Sequence, residues 1–303
     1  MPSAWHVSLV IAVVVSFLPT VSCVVRLASW NLLAPVYSIP RKYPWCAPEF
    51  LDWDYRKSLI VPQLLQFDAD ILCLQEVQVD TWPDLLESLP GYTGILQDVK
   101  GAHPVASAVL VRPKKFQVRR VESRSRVLIV VLDDCQEGDE QLSSSSPPLY
   151  LCNVHLEAGE SHDDNHIRYH QLKSLFKRLA NQCKQDQQAL QEASIVMAGD
   201  FNMLNTNPLH TFLTQGFLEN PQKQYAPPCT TTKLQDAYMW SGHRLGKTFS
   251  KGGVLDYIWT SDHVNIQDAL ILHPSVETMD SQQFPSKEHP SDHLPIGVDL
   301  ELR

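Results

Sequence analysis

Ile195-Val196-Met197-Ala198-Gly199-Asp200-Phe201-Asn202 is the stretch on which the chain turns. Apolar residues enter, the small pair Ala198-Gly199 bends, and a carboxylate and an amide emerge two positions apart. The spacing predicts a buried strand closing in a tight turn. Residues two apart on extended chain point to one side, so Asp200 and Asn202 can face a single cleft. An acid beside an amide suits a hard metal ion, an attacking water and a phosphate oxygen. Gly-Asp-x-Asn is also ordinary turn chemistry, so the reading rests on what the other strand ends carry.

Working outward, Ile167–Gln188 predicts a helix, because Leu172, Leu175, Phe176, Leu179, Ala180 and Cys183 follow an amphipathic spacing. Leu149–His155 reads as a strand with Asn153 and His155 on one face. Val105–Val111 and Val127–Leu132 read as strands too. Between them, Arg112–Arg126 carries seven Lys or Arg and one Glu, which suits a solvated hairpin or a rim for substrate phosphate. Towards the N-terminus, Val24–Trp30 is a strand that stops at Asn31. Tyr55–Phe67 is a helix containing Pro62, expected to kink there. Ile71–Leu74 is a short strand ending at Gln75-Glu76. Towards the C-terminus, Pro208–Gln215 is a short helix, 220–254 is irregular and polar, Val254–Thr260 is a strand bearing Asp256, and Leu294–Leu300 is a strand preceded by Pro290-Ser291-Asp292-His293. Strands with interspersed helices, polar at their ends, imply α/β layers with a cleft along one edge of the strands.

Composition bounds the function. Hydrophobic residues make up 44% of 303 and charged residues 19%, a globular balance. The formal net charge of −9 argues against a protein that coats long duplexes by phosphate neutralisation. Val7–Leu18 is an apolar run followed by Pro19 and the small-residue stretch Thr20-Val21-Ser22-Cys23, a signal-peptide pattern that is short for a membrane span. Residues 1–23 are therefore expected to be a signal peptide, with an anchor as the alternative, and 24–303 one domain, secreted or within the secretory pathway. No stable membrane insertion is expected after cleavage, and a monomer is expected. Cys73 and Cys152 lie in apolar strand patterns that suit buried free thiols; Cys46, Cys135, Cys183 and Cys229 lack metal-type pairing.

The polar residues at strand ends are Asn31, Glu76, Asn153, His155, Asp200, Asn202, Asp256, Asp292 and His293. Carboxylates, amides and two imidazoles suit Mg²⁺ or Mn²⁺. They do not suit structural zinc, which wants Cys and His at close spacing. No phosphate-cradling Gly-rich loop and no serine nucleophile elbow is present. His162, Asp163, Asp164, His166 and His170 read as a polar helix entry rather than a metal site. Lys233 is either a substrate contact or an exposed loop lysine.

Ser29-Trp30-Asn31, Leu74-Gln75-Glu76-Val77, Asn153-Val154-His155-Leu156, Gly199-Asp200-Phe201-Asn202, Leu255-Asp256-Tyr257-Ile258 and Pro290-Ser291-Asp292-His293 together resemble the endonuclease/exonuclease/phosphatase (DNase-I-like) superfamily, in its order. Tyr43–Pro48, Leu51–Arg56, Ala69–Leu74 and Pro227–Lys233 are similar to its branch of carbon catabolite repression deadenylases and nocturnin. The resemblance implies a four-layer α/β sandwich, two mixed sheets face to face and flanked by helices. It implies that Glu76 is the main metal ligand, with Asn31 and Asp292 near the same ion. Asp200 and Asn202 would position water, Asp256 would orient His293, His293 would act as base or phosphate-stabilising acid, and His155 would bind the scissile phosphate. Asn153 and Lys233 are expected to bind substrate. The implied activity is metal-dependent hydrolysis of phosphoester bonds in nucleic acid, single-stranded RNA from the 3′ end foremost, or in nucleotides. A secreted sphingomyelinase-type lipid phosphodiesterase and a nocturnin-type nucleotide 2′-phosphatase are the alternatives. Glu157-Ala158-Gly159 stand where nocturnin-like proteins carry basic residues.

Overall fold

A computed structural model describes residues 24–99, 101, 104–135, 147–217, 231–243, 245–272 and 283–302. The expected signal segment 1–23, Cys229 and the stretch 227–230 lie outside the described residues.

Twelve described strands form two six-stranded sheets. The first sheet holds β1 (Val24–Asn31), β2 (Ile71–Gln78), β3 (Thr93–Leu96), β4 (Val105–Val111), β11 (Val264–Leu270) and β12 (Ile296–Leu302), in the order β11-β12-β1-β2-β4-β3. The second holds β5 (Phe116–Arg124), β6 (Val127–Asp134), β7 (Leu149–His155), β8 (Ser194–Asp200), β9 (Gln235–Asp236) and β10 (Asp256–Thr260), in the order β5-β6-β7-β8-β10-β9. Both sheets are mixed. β1 runs parallel to β2 and β7 parallel to β8, while the other pairs are antiparallel.

Three apolar clusters define four layers. Leu27, Ile71, Cys73 and Val298 meet Leu128, Val130, Leu151 and Val196 between the sheets. The outer face of the first sheet, with Trp30, Leu72 and Leu110, is covered by α2 (Trp53–Gln66) and α3 (Trp82–Glu87) through Ile60, Leu64 and Leu85. The outer face of the second, with Tyr150, Cys152, Met197 and Trp259, is covered by α4 (His162–Gln185) and α5 (Pro208–Gln215) through Leu172, Phe176, Leu179 and Phe212. Both faces of the central strands are buried, so β2, β4, β6, β7 and β8 are apolar nearly throughout rather than alternating, while the edge strands β5 and β11 carry polar residues. The short helices α1 (Pro48–Leu51) and α6 (Ala237–Ser241) complete the set. The expected four-layer sandwich is observed.

Local chemistry sets the helix limits. Asp52 caps α2 by accepting from the amides of Asp54 and Tyr55, and α2 runs through Pro62. Ser161 and Asp164 form a capping box at the start of α4. α5 starts with Asn207 and Pro208 and stops at Gly216, which has φ 75°. Three expectations need adjustment. The last strand is Ile296–Leu302 rather than Leu294–Leu300. The region 220–254 contains β9 and α6. β3 and β11 add strands whose mixed apolar and polar patterns gave no clear period.

Asn153 is 0% exposed and ties the sheets together. Its Nδ2 donates to the carbonyls of Leu74 (2.9 Å) and Ala108 (2.8 Å), and its Oδ1 accepts from Gln75 Nε2 (2.8 Å). The expectation that Asn153 binds substrate is corrected by this geometry. Its amide serves the opposite sheet, because a strand residue on the inner face must find its partners there. Asn153→Leu takes the side-chain donor from two buried carbonyls and one acceptor from Gln75 Nε2, which keeps Ser29 Oγ and the Cys73 carbonyl. The variant is expected to lose about 3 kcal/mol of stability, read as a lower midpoint in urea unfolding with an unchanged slope.

Candidate active site

The strand register brings the polar motifs to one end of the sandwich. On the second sheet His155, Asp200 and Asp256 are successive cross-strand partners at one level: His155 opposite Asp200, and Asp200 opposite Asp256. On the first sheet Asn31 lies opposite Gln75. The segment Asp292-His293 arrives just before β12, antiparallel to β1, and is braced by the loop 248–253. There Leu294 N donates to Thr248 O (2.8 Å) and Ser250 N to Asp292 O (2.9 Å).

Strained backbone aims the groups. Glu76 has φ 54° and Asn202 φ 50°, both left-handed without being glycine. Glu76 lies where the β2–β4 register slips between Leu74 and Val77, a one-residue bulge. A bulge re-aims a side chain out of strict alternation. Gln75 stays inside, bonded to Asn153 and to Ser29 Oγ (3.1 Å), while Glu76 reaches the cleft. Gly199 has φ 142°, and a Cβ there would lie 2.0 Å from the Val154 carbonyl oxygen, so only glycine permits β7 and β8 to close side by side ahead of Asp200.

Asp200 is the hub. Its Oδ2 accepts from Asn31 Nδ2 (3.1 Å) and lies 3.6 Å from His293 Nε2 and 3.8 Å from His155 Nε2. Its Oδ1 accepts from Asn202 N (2.9 Å). Asn202 in turn donates from Nδ2 to the Leu156 carbonyl (3.0 Å), which fixes the turn. Asp256 Oδ2 lies 2.9 Å from His293 Nδ1, so Nδ1 carries a proton towards Asp256 and Nε2 faces Asp200. His155 Nε2 also lies 3.9 Å from Glu76 Oε1.

The two imidazoles are driven apart. Burial, with Arg126 and His293 adding to it against Asp200, lowers His155 to about 4, so its ring is neutral. Burial also opposes charge on His293, but Asp256 and Asp200 outweigh it and carry the group well above the ordinary imidazole value. A neutral ring and a charged ring thus face the same carboxylate, a division that suits distinct acid–base roles.

Glu76 marks the other half. Burial first, then the neighbouring Asp292, raises its carboxyl to about 7; His293 and the Ala34 amide, which donates to Oε2 at 3.1 Å, oppose that. Asp292 Oδ2 accepts from Tyr43 Oη at 2.7 Å. Arg56, 0% exposed, donates to the carbonyls of Leu32 (2.9 Å) and Pro290 (3.0 Å) behind this end. Burial lowers Arg56 to about 10, against the pull of Asp292 and Tyr43. An oxygen-rich pocket with excess negative charge fits a divalent cation. Glu76 and Asp292, with Asn31 beside them, are the residues that would hold it. Asp200, Asp256 and His293 also offer ligand atoms within 4.8 Å of one another. The short Asp256–His293 hydrogen bond makes that trio a proton-holding pair facing a carboxylate rather than the first choice for the ion.

The structure thus brings together Asn31, Glu76, His155, Asp200, Asn202, Asp256, Asp292 and His293. Lys233 lies exposed beside Gly216 past the end of α5. Tyr43 and Arg56 were not singled out from the sequence as site residues. Both sit in the stretches Tyr43–Pro48 and Leu51–Arg56 that resemble the deadenylase and nocturnin branch, and that resemblance was the available signal. The described cysteines, Cys46, Cys73, Cys135, Cys152 and Cys183, are free thiols. No described helix is long and apolar enough to cross a membrane.

Residues 28–293 match the Endonuclease/Exonuclease/phosphatase family, and the chain belongs to it. This is a family of enzymes acting on phosphoester bonds. The chain is 28% identical to human nocturnin over 310 residues, covering 92% of this chain and 65% of nocturnin. It is 24% identical over 330 residues to Ccr4 of Saccharomyces cerevisiae, the 3′-5′-exoribonuclease subunit of the CCR4-Not complex, covering 90% of this chain but 38% of Ccr4. The crystal structure of ANGEL2, a 2′,3′-cyclic phosphatase, in complex with adenosine-2′,3′-vanadate superposes with a TM-score of 0.75 at 21% identity, over 93% of this chain and 96% of that one. It has the same fold.

Proposed function

We propose that the chain is a divalent-metal-dependent phosphodiesterase that hydrolyses phosphoester bonds at the 3′ end of single-stranded RNA. One observation carries this reading: Asp200 Oδ2 is shared, within 3.1–3.8 Å, by the Asn31 amide and the imidazoles of His155 and His293, next to the Glu76–Asp292 pocket. When bound at Glu76 and Asp292, Mg²⁺ or Mn²⁺ supplies Lewis-acid charge to a phosphoryl oxygen. Neutral His155 hydrogen-bonds the phosphate without adding charge of its own. Asp200 and Asn202 hold the attacking water in line with phosphorus. His293, fixed through Nδ1 by Asp256, presents its Nε2 proton to the charge that develops as the bond breaks. The 3′-5′-exoribonuclease named for Ccr4 and the adenosine vanadate held by ANGEL2 support ribonucleotides as the substrate class. The net charge of −9 weighs against long duplexes.

The test is a panel of poly(A), mixed-sequence RNA, DNA, NADP(H) and sphingomyelin vesicles, with Mg²⁺ or Mn²⁺ and with chelator. Stepwise shortening of single-stranded RNA from its 3′ end is expected. Chelator is expected to lower the rate by at least about 10³-fold, equivalent to ~4 kcal/mol. Cleavage confined to vesicles or to NADP(H), or an RNA rate indifferent to chelator, would overturn the reading. The leader-like residues 1–23 add the proposal that the enzyme works in the secretory pathway, checked by N-terminal sequencing of material recovered from secreting cells.

A further inference from the structure

The basic hairpin β5–β6 has no part in the reaction above, and its arginines divide into two sets. Arg119 and Arg120 close onto Asp133 and Asp186. Arg124 and Arg126, at the turn, line a cavity of about 350 Å³ whose other wall is His166, His170 and Arg178 of α4. The cavity adjoins the active site. The Arg126 carbonyl accepts the His155 amide at 3.0 Å, and Val127 pairs with Val154, one residue before His155. The Arg126 guanidinium pairs with Glu157 at 2.6 Å, two residues past His155.

We propose that this groove is a second phosphate subsite, which binds a phosphate of the substrate strand remote from the scissile bond. The proposal rests on the phosphodiesterase reading above. Its charge balance favours an anion. Three guanidiniums face two carboxylates, Glu122 and Glu157. Glu122 Oε1 is shared by Arg124 (2.7 Å) and Arg178 (2.8 Å), and its Oε2 accepts from Gln182. Arg178 Nε is buried with no hydrogen-bond partner among the described residues. A phosphate oxygen gives that donor an acceptor in a charge-assisted bond. His170 adds a proton-dependent component. Its Nε2 lies 3.2 Å from His166 Nε2, and burial, His166 and Lys173 keep His170 below its ordinary value. An anion in the groove favours the protonated form of His170. The same spacing would suit a chelated cation, but the three arginines lining the cavity repel one.

The test uses the full chain. Arg124→Gln/Arg178→Gln and, separately, His170→Gln are compared with wild type on a long single-stranded RNA and on bis(p-nitrophenyl) phosphate, which is too short to reach the groove. For RNA, KM is expected to rise about tenfold in the double variant, with kcat unchanged and a shallower dependence of affinity on salt. KM for the short substrate is expected to stay the same. Equal effects on both substrates, or none on RNA, overturn the subsite. A second readout does not need hydrolysis. Inorganic phosphate is titrated while the imidazole resonances of His170 are followed, and its apparent pKa is expected to rise in wild type and not in the double variant. Resonances that ignore phosphate overturn the subsite. If the resonances respond but neither substrate is cleaved, the subsite stands as an anion site and the phosphodiesterase reading falls.

Discussion

Glu76→Gln is expected to lower kcat on RNA by about 10³-fold or more, a loss of ~4 kcal/mol of transition-state stabilisation, while the protein stays folded. The substitution keeps the side chain's length and its acceptor for the Ala34 amide. It removes a negative charge that burial and Asp292 already disfavour. Stability should therefore move the opposite way from activity. In chelator, ionised Glu76 weakens the folded state, because its carboxyl is raised to about 7 there and titrates near 4 when unfolded. That penalty grows from the ordinary carboxylate range up to about pH 7 and levels off above it. At pH 8 the metal-free variant is expected to melt above metal-free wild type, and the gap should close below pH 4, where both states are protonated. Added Mg²⁺ or Mn²⁺ should raise the melting temperature of wild type and leave the variant's nearly unchanged. A variant that is both active and metal-stabilised would remove Glu76 from the metal site.

His293→Ala is expected to cost about 10²- to 10⁴-fold in kcat and, unlike the Glu76 change, to destabilise the fold. His293 is 5% exposed between Asp256 and Asp200, each 1% exposed. Removing a protonated imidazole leaves two buried carboxylates without a counter-charge, a change of about 3–5 kcal/mol where a buried pair is broken. His293→Gln separates the two effects. A glutamine amide can still donate to Asp256 but brings no charge, so part of the stability should return while the rate does not. Urea midpoints and single-turnover rates of the two variants provide the comparison. If Gln restored the rate as well, His293 would be a structural link rather than a participant in the reaction.

The legibility of this chain differs between its two halves of information. The strands that end at Asn31, Glu76, His155 and Asp200 were visible because each is an apolar run broken by a polar group, and burial on both faces of a sheet produces that pattern. β9, α6, β3 and β11 were not, because two to seven residues at a sheet edge carry little periodic signal. Asn153 and His155 share a face of β7 and looked equivalent. Asn153 is enclosed between the sheets, bonded to Leu74 and Ala108, whereas His155 lies at the open end. Local sequence cannot distinguish these positions, since the opposite sheet makes the difference.

The sequence by itself determined which chemistry is possible: an ordered set of carboxylates, amides and imidazoles at strand ends, too rich in oxygen for structural zinc and accompanied by no nucleophilic serine elbow. Tertiary structure decided how those groups are used. The bulge and left-handed backbone at Glu76 turn it into the cleft. The parallel pairing of β7 with β8, and the antiparallel pairing of β8 with β10, set His155, Asp200 and Asp256 at one level. Burial then keeps His155 neutral, while Asp256 and Asp200 hold His293 charged against its own burial. The physical reason is that side-chain type is local, while direction, desolvation and charge partners are set by residues distant in the chain, from 37 positions for Asp256 and His293 to 249 for Tyr43 and Asp292. Asp200 and Asn202 of the stretch Ile195–Asn202 could have closed a simple turn; the imidazole of His293 and the amide of Asn31, brought from the other sheet, make that turn one wall of the site.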